Sequence, residues 1–483
     1  MKTFGIKRLA GLLLAAAIMG APLAAPAVAQ TTSSAPATAT APASGEPAAS
    51  SAAASSAAAS AAPAAAAPAA APAPKIDTGD TAWMLTSSVL VLMMTIPGLA
   101  LFYGGMVRKK NILATLAQSF GATALITVLW MIIGYSIAFT DGGKNTAFIG
   151  GFKYILLAPM GLNATSSLAP TIPESVYMFF QMTFAIITPA LIAGALADRM
   201  KYSAFLWFMG LWLVLVYCPI AHWVWGGGWL GAKGALDYAG GTVVHLNAGT
   251  AGLVAALMLG KRKGLGTENF APHNLAYSVI GASLLWVGWF GFNAGSAVTS
   301  NVNAGMAAAA TQIATAAATL AWMFAEWIIA KKPSVLGMVS GAVAGLVAIT
   351  PASGFVNPMG ALIIGLLAGV VCYTSAVHVK KIFGYDDALD CWGVHGVGGA
   401  LGAILTGVFA SSAINPLGKG WLIDHNPGQM LLQFEDVGAT FVYCGVVTFI
   451  ILLVLKYTIG IRVSEEVEVE GLDINLHGEV VHG

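Results

Sequence analysis

Two short stretches, VHLNAGTAG at residues 244–252 and VHGVGGALG at residues 394–402, decide the fold of this 483-residue chain. Each has a histidine at its second position and glycines four and seven residues after that histidine. They lie in the fifth and the tenth of eleven apolar runs, so the two copies would cross a membrane in opposite senses. The match therefore predicts an inverted five-plus-five repeat. Four matching residues in Gly-rich sequence can also arise by chance, and the shared histidine is what favours the repeat.

The composition is that of a membrane protein. Hydrophobic residues make up 57% of the chain, charged residues only 9%, and the mean hydropathy is +0.79. So little charge cannot coat a globule of this size, and the net charge of +1 favours neither acidic nor basic partners. A soluble enzyme, a disordered hub and a nucleic-acid binder are all disfavoured. The four cysteines lie in or beside apolar runs without metal-like spacing, which predicts small core residues rather than disulfides.

The apolar runs approach or exceed the roughly 20 residues that cross a bilayer as a helix. We therefore expect an all-α integral membrane protein with eleven transmembrane helices in a lipid bilayer. The approximate limits are 82–104, 112–139, 175–197, 203–222, 241–260, 274–297, 304–329, 335–353, 359–379, 393–411 and 433–460.

Basic residues are distributed unequally between the connections on the two sides. Alternate connections carry fourteen Lys and Arg residues, whereas the opposite loops carry only four. Since Lys and Arg are enriched in cytoplasmic loops, this predicts an N-terminus outside and a C-terminus in the cytoplasm. That orientation needs an odd number of spans, in agreement with eleven.

The two ends differ from the membrane domain, predicted at 77–462. Residues 1–29 have basic residues, an apolar stretch and a small-residue site at Ala29, as in a cleaved secretory signal peptide. Residues 30–76 are mostly Ala, Pro, Ser and Thr, which predicts a disordered periplasmic segment; the recurring prolines argue against an Ala-rich helix. Residues 463–483 form an acidic tail, predicted to be cytoplasmic.

Ionisable residues inside a membrane are expensive and commonly mark a pathway. His245 and His395 lie within predicted spans at repeat-equivalent places, although a single intramembrane histidine can equally be a packing residue. An acid precedes each of them, Asp237 and Asp390. Helix capping explains both acids, and we favour it for Asp390; Asp237 could also attract a cation to an outer mouth. A metal site lacks a third ligand at the same depth.

Aromatic residues supply the other half of a candidate site. Most aromatics near membrane edges belong to interfacial belts or to packing. A cluster at an outer mouth can instead hold a small cation through cation–π attraction. Together with paired histidines, such a cluster suggests a small cation that can lose a proton. The aromatics concerned are Phe179, Phe180 and Phe184 in the third span, Trp223, Trp225 and Trp229 after the fourth, and Trp286, Trp289, Phe290 and Phe292 at the end of the sixth.

The stretch DYAGGTVVH at residues 237–245, continuing to GKR at 260–262, resembles the signature of the ammonium transporter (Amt/Mep/Rh) family, and closely its bacterial Amt branch. The resemblance covers nearly everything after the low-complexity segment. Further matching motifs, in family order, are YGG at 103–105, GALADR at 194–199, AHWVWGGG at 221–228, GFNAGS at 291–296, KPS at 332–334 and GVHG at 393–396.

The resemblance implies a homotrimer in a bacterial inner membrane, with one pore per subunit and no cofactor. Ammonium would be recruited at an outer site, lose a proton, and cross as ammonia, with or without a separate proton relay. The tail would couple subunits, and a PII-type signal protein would dock on the inner face. The implied site residues are Trp225, Phe180, Phe184 and Ser296 for recruitment, Asp237 organising them, Phe184 and Phe292 as a gate, and His245, His395 and Trp289 lining the pore.

Three alternatives stay open beside an ammonium channel or transporter. An ammonium sensor would keep the fold and act through cytoplasmic partners, because only about 20 residues follow the last span. An intramembrane enzyme is disfavoured, since no nucleophile or metal set accompanies the histidines. A Rh-like channel for neutral gas is disfavoured by the Trp225 and Ser296 mouth.

Overall fold

The computed structural model describes residues 75–481. The predicted signal peptide at 1–29 and the predicted disordered segment, apart from its last two residues, lie outside the described residues. Within residues 75–481 the regular structure is helical, and the β pairing consists of two isolated bridges, Ser166 with Ala169 and Met200 with Arg462.

Ten helices in the described part of the chain are long and apolar enough to cross a membrane, and an eleventh apolar helix is shorter. Each coincides with one predicted span, which confirms the all-α membrane architecture with eleven helices. They are α1 (Thr78–Met106), α2 (Lys109–Phe139), α3 (Glu174–Leu196), α4 (Tyr202–Lys233), α5 (Gly241–Leu259), α6 (Leu275–Gly295), α7 (Val302–Ala330), α8 (Val335–Ile349), α9 (Pro358–Phe383), α10 (Cys391–Phe409) and α11 (Gly428–Thr458).

Local sequence sets the limits of α8, the short helix, and of α9 after it. The Ser334 hydroxyl accepts a hydrogen bond from Gly337 N at 2.8 Å and so caps the start of α8. Asn357 caps α9 in the same way, accepting from Gly360 N at 2.9 Å, and Pro358 occupies the first helical position. The two caps fix the residues at which α8 and α9 begin.

The inverted repeat is visible in how the helices are wound. Helices α5 and α10 both begin with a six-residue π-helical turn, Gly241–Leu246 and Cys391–Gly396, followed by thirteen residues of α-helix. Helices α4 and α9 contain a π turn later in their course, at Leu213–Tyr217 and Thr374–Val379. The π turns of α1, at Met94–Leu99, and α2, at Trp130–Gly134, have no counterparts in α6 and α7, so the repeat is visible in the fourth and fifth helices of each half.

The repeated glycines mark the point where α5 and α10 cross. A Cβ on Gly249 would lie 2.2 Å from Gly396 N, and a Cβ on Gly399 would lie 2.5 Å from Gly241 O. Only glycine allows the two backbones to approach so closely. The crossing brings the π turns together, and with them the two histidines.

The cysteines and the tail complete the fold. All four cysteines are free and buried, as predicted. The C-terminal tail packs on the start of α2, where Asp473 accepts hydrogen bonds from Leu113 N at 3.0 Å and Ala114 N at 2.8 Å. Leu472 N donates to Asn111 Oδ1 at 2.8 Å. The tail is thus attached to the same face as the basic loops.

Candidate functional site

His245 and His395 meet at the crossing of α5 and α10. Their Nδ1 atoms are 3.3 Å apart and their rings are inclined by 20°. Both rings are buried, and His245 Nε2 has no hydrogen-bond partner. If one Nδ1 donates to the other, one ring is left with an Nε2–H donor and the other with an Nε2 acceptor. The pair can therefore offer one donor and one acceptor to a small polar molecule.

Two aromatic side chains of α6 hold His245 in place. The Trp289 indole stacks on the His245 ring with centroids 5.3 Å apart, and Phe292 lies 5.8 Å away. The indole is itself fixed, because Trp289 Nε1 donates to Thr350 Oγ1 at 2.9 Å. The predicted grouping of Trp289 with the histidines is therefore present.

Phe184 and Phe292 close the space above the histidines. Their centroids are 4.3 Å apart and both rings are buried. Phe184 also contacts Phe180, at 4.9 Å, and Trp225, at 5.8 Å. The rings thus form one continuous column from Trp225 to His245.

The outer end of this column is more open. Trp225 lies within α4, directly after the regular helix that ends at Val224. It is half-buried and donates from Nε1 to Asp237 O at 2.8 Å. Ser296 caps α6 and donates from Oγ to Phe292 O at 2.8 Å. Since that bond uses the hydroxyl proton, the Ser296 oxygen is left as an acceptor.

Asp237 is a buried cap with its negative charge fully engaged. Its carboxylate accepts from the backbone amides of residues 240 to 243, at 2.6 to 3.1 Å, and from Thr242 Oγ1 at 2.7 Å. Of the two roles left open for Asp237, the structure shows capping. Asp237 reaches the aromatic mouth through its main-chain oxygen, which holds the Trp225 indole, and not through its carboxylate.

The prediction that Asp390 caps the tenth helix is wrong. Asp390 has a left-handed backbone, makes no capping hydrogen bond, and pairs with Lys380. Asp387 provides the cap, accepting from Trp392 N at 2.7 Å. Burial, together with the neighbouring Asp390 carboxylate, raises the pKa of Asp387 to about 6. The left-handed residue at 390 turns its own side chain away from the helix start.

A small cavity of about 40 Å³ adjoins the other side of His395. Its lining includes Tyr103, Trp322, Asp390 and His395. The histidine pair therefore lies between the aromatic column and this cavity.

Sequence reasoning missed three residues around the histidines. Asp387 lies eight residues before His395, as Asp237 lies eight before His245, and that spacing is the signal that could have found it. Asp436 is an acid inside the last predicted span, and it belongs to none of the ion pairs formed by the described residues. Thr242 lies in the DYAGGTVVH motif at 237–245, but nothing in that motif distinguished it from its neighbours.

Comparison with known proteins identifies the fold. A model of the Ammonium Transporter Family matches residues 82–482. The chain belongs to the ammonium transporter family. The ammonium transporter of Aquifex aeolicus (strain VF5) is 53% identical over 407 residues, covering 84% of this chain and 93% of that protein. That of Bacillus subtilis (strain 168) is 49% identical over 401 residues, covering 83% and 98%.

Solved structures of this family share the architecture. Saccharomyces cerevisiae Mep2 superposes with a TM-score of 0.75 at 37% identity, covering 81% of this chain and 91% of that one. A structure described as a sensor Amt protein superposes with a TM-score of 0.75 at 27% identity, covering 83% and 98%. Both structures share the fold of this chain, so the fold alone does not separate a transporter from a sensor.

Proposed function

We propose that this transporter recruits ammonium at the Trp225 mouth, removes a proton, and conducts ammonia past His245 and His395. The observation that carries the proposal is the unbroken column of rings that ends at a buried histidine pair with a free Nε2 atom. A cation is held at one end of this column, and a small neutral hydrogen-bonding molecule suits the other.

Recruitment relies on ring faces and one hydroxyl oxygen. Each aromatic ring at the mouth supplies about 0.5 to 2 kcal/mol of cation–π attraction. Phe180, Phe184 and Trp225 form the ring cluster, and the Ser296 oxygen accepts a hydrogen bond from the ion. The fixed charge of Asp237 favours a cation nearby without touching it.

Selectivity for ammonium over potassium depends on the loss of a proton. Ammonium and potassium are similar in size, so a size filter alone would not separate them, and carrying either bare ion through a dry apolar tube costs many kcal/mol. Only ammonium can leave its proton behind and continue as a neutral molecule. The closed pair of Phe184 and Phe292 keeps water and hydrated ions from the histidines.

The histidines accept and donate hydrogen bonds as ammonia passes. Their Nδ1 contact also joins the two rings into one route along which a proton can be relayed separately. Net charge moves only if that relay operates. A current recording on proteoliposomes distinguishes relayed protons from neutral ammonia passage.

We extend the proposal to the assembly and its setting. The protein is a homotrimer in a bacterial inner membrane, N-terminus outside and C-terminus in the cytoplasm, and it is a transporter rather than an enzyme. The inner face, where Lys263 and Arg462 pair with Glu465 and Glu468 of the tail, is the surface that a PII-type signal protein contacts. Native mass spectrometry tests the trimer, and binding of a purified PII protein to the transporter in detergent tests the partner.

The twin-histidine pore is tested by removing both rings. Uptake of labelled methylammonium by proteoliposomes is expected to be lost when His245→Ala is combined with His395→Ala. The matched control is His378→Ala on α9, whose ring contacts Tyr373 outside the column. Wild-type uptake and selectivity in a folded double variant would show that the pore lies elsewhere.

A sensor is the second candidate, because a structure described as a sensor Amt protein shares the fold. A sensor binds ammonium without carrying it across. Proteoliposomes that bind the ion but show no uptake above protein-free liposomes would favour the sensor.

A further inference from the structure

One hydroxyl group lies between two buried carboxyl groups beside the outer mouth. Thr242 Oγ1 is 2.7 Å from Asp237 Oδ2 and 2.9 Å from Asp436 Oδ2. Asp237 is 5% exposed and Asp436 0%. A hydroxyl group has one proton, so Thr242 can donate to only one of these oxygens.

The backbone determines which carboxyl group receives that proton. Asp237 accepts four backbone amide hydrogens, a number that suits an ionised carboxylate. The Thr242 hydroxyl therefore donates to Asp237. A close contact between Asp436 Oδ2 and Thr242 Oγ1 then needs a proton supplied by Asp436 itself.

The surroundings of Asp436 also disfavour a charge on it. None of the ion pairs formed within residues 75–481 includes Asp436, and its Oδ1 atom accepts no hydrogen bond there. A second buried anion beside ionised Asp237 would bear a desolvation cost of several kcal/mol without a cation to offset it.

We infer that Asp436 is a neutral carboxylic acid that donates its proton to Thr242, which in turn donates to Asp237, so that two acids share a single negative charge. Asp436 is then a positioning residue for the outer mouth. Its proton orients the Thr242 hydroxyl toward the Asp237 carboxylate, which caps the turn that begins α5. The same turn carries His245, and Asp237 O holds the Trp225 indole.

The protonation state is tested by infrared spectroscopy on purified protein labelled with carboxyl-¹³C aspartate. The buffer is alkaline, so that Asp387, with its pKa of about 6, is ionised and does not contribute. We expect the carbonyl band of a protonated aspartic acid in the wild type and its loss in Asp436→Asn. Absence of the band, or its persistence in that variant, overturns the inference.

Two controls make the assignment specific. Asp424→Asn removes an aspartate of the α10–α11 loop whose pKa is lowered by hydrogen bonds from Ser412, so the band stays. Thr242→Ser keeps the bridging hydroxyl and leaves the band in place. Thr242→Val removes the hydroxyl and is expected to shift the band. A carbonyl band that does not shift in Thr242→Val overturns the proposed bridge. The two Thr242 variants test the proposal even if Asp436→Asn does not fold.

The positioning role rests on the proposed function and has its own readout. The amide of Asp436→Asn can donate to Thr242 as the acid does, so ammonium uptake is expected to stay within about twofold of wild type. Asp436→Leu cannot donate and is expected to lose uptake and thermal stability. A folded Asn variant without uptake shows that Asp436 must exchange its proton, which overturns a purely positioning role. If the wild type itself shows no uptake, the transport proposal fails while the infrared result stands.

Discussion

Asp237 and Asp387 hold the same turn of chain in the two halves of the protein. Asp237 Oδ2 accepts from the amide five residues later at 2.9 Å, and Asp387 Oδ2 does so at 2.7 Å. Each acid lies eight residues before its histidine. The inverted repeat therefore includes the carboxylate that caps each π turn as well as the ring that the turn presents.

The pH dependence of stability gives the first prediction, which concerns Asp387. Its pKa is raised by burial from an ordinary value of about 3.9 to about 6. The folded protein therefore binds this proton more tightly than the unfolded chain, and stability should fall as pH rises from about 4 to about 6. We expect Asp387→Asn to remove this slope, on the order of 1 to 3 kcal/mol, in thermal unfolding measured across that range. Parallel profiles for the two proteins would show that Asp387 is not the titrating group.

The buried charges at the inner ends of the helices give the second prediction. Asp386 binds Arg262 Nη2 at 2.9 Å and lies 3.8 Å from Arg199 Nη1, with all three side chains mostly buried. Burial opposes ionisation of Asp386, but hydrogen bonds from Arg262 lower its pKa overall. Asp386→Asn leaves Arg199 without its ion-pair partner and Arg262 paired with Asp198 alone, at an expected cost of about 3 to 5 kcal/mol.

The control for Asp386 is the exposed pair of Lys233 and Glu435. Glu435→Gln should cost no more than about 1 kcal/mol, because solvent screens the pair. Thermal unfolding of the two variants in the same detergent compares them. Equal losses would mean that the Asp386 cluster contributes no more than a surface ion pair.

Much of the fold was predictable because a bilayer imposes simple rules. Apolar run lengths predicted all eleven helices, and the repeat of Gly249 and Gly399 was visible because a backbone crossing admits only glycine. The chemistry of the crossing was predictable only in part. The spacing of His245 and His395 identified the pair, but the distance between their Nδ1 atoms depends on two π turns that hydropathy does not register.

The acids show where sequence reasoning reached its limit. Asp390 directly precedes α10 and was the obvious cap, yet its positive φ turns the side chain toward Lys380. The left-handed backbone at Asp390 depends on how the surrounding elements pack, which the local sequence does not show. Asp436 was overlooked for a different reason, since the residue it contacts, Thr242, lies 194 positions away in the chain.

The attachment of the C-terminal tail gives the third prediction. Asp473 accepts two amide hydrogens at the start of α2, a cap worth about 1 kcal/mol. Asp473→Ala should raise the fraction of molecules with a detached tail about fivefold. Limited proteolysis after Ser464 measures that fraction, provided that cleavage is slow relative to reattachment. Asn475→Ala is the control, because Asn475 bonds only to Glu470 and Gly471 within the tail. Equal cleavage rates for the two variants would count against the cap.

The fourth prediction concerns the glycine crossing that sets the distance between the histidines. A Cβ at residue 249 would lie 2.2 Å from Gly396 N, and backbone cannot move aside as a flexible side chain can. Gly249→Ala should therefore force α5 and α10 apart, cost about 1 to 3 kcal/mol in stability, and separate the Nδ1 atoms now 3.3 Å apart. We expect uptake to fall at least about tenfold, since each 1.4 kcal/mol in a barrier is a factor of ten.

Gly438→Ala on α11 and Gly305→Ala on α7 are matched controls, because a Cβ at either position meets no atom within 4 Å. Alanine favours a helix over glycine by about 0.8 to 1 kcal/mol, so these variants should be as stable as the wild type or more so. Uptake and thermal unfolding are measured on all three variants in parallel. If Gly249→Ala transports ammonium like the controls, the close crossing of α5 and α10 does not govern the pore, and the geometry of the histidine pair must be maintained by Trp289 and the capping acids instead.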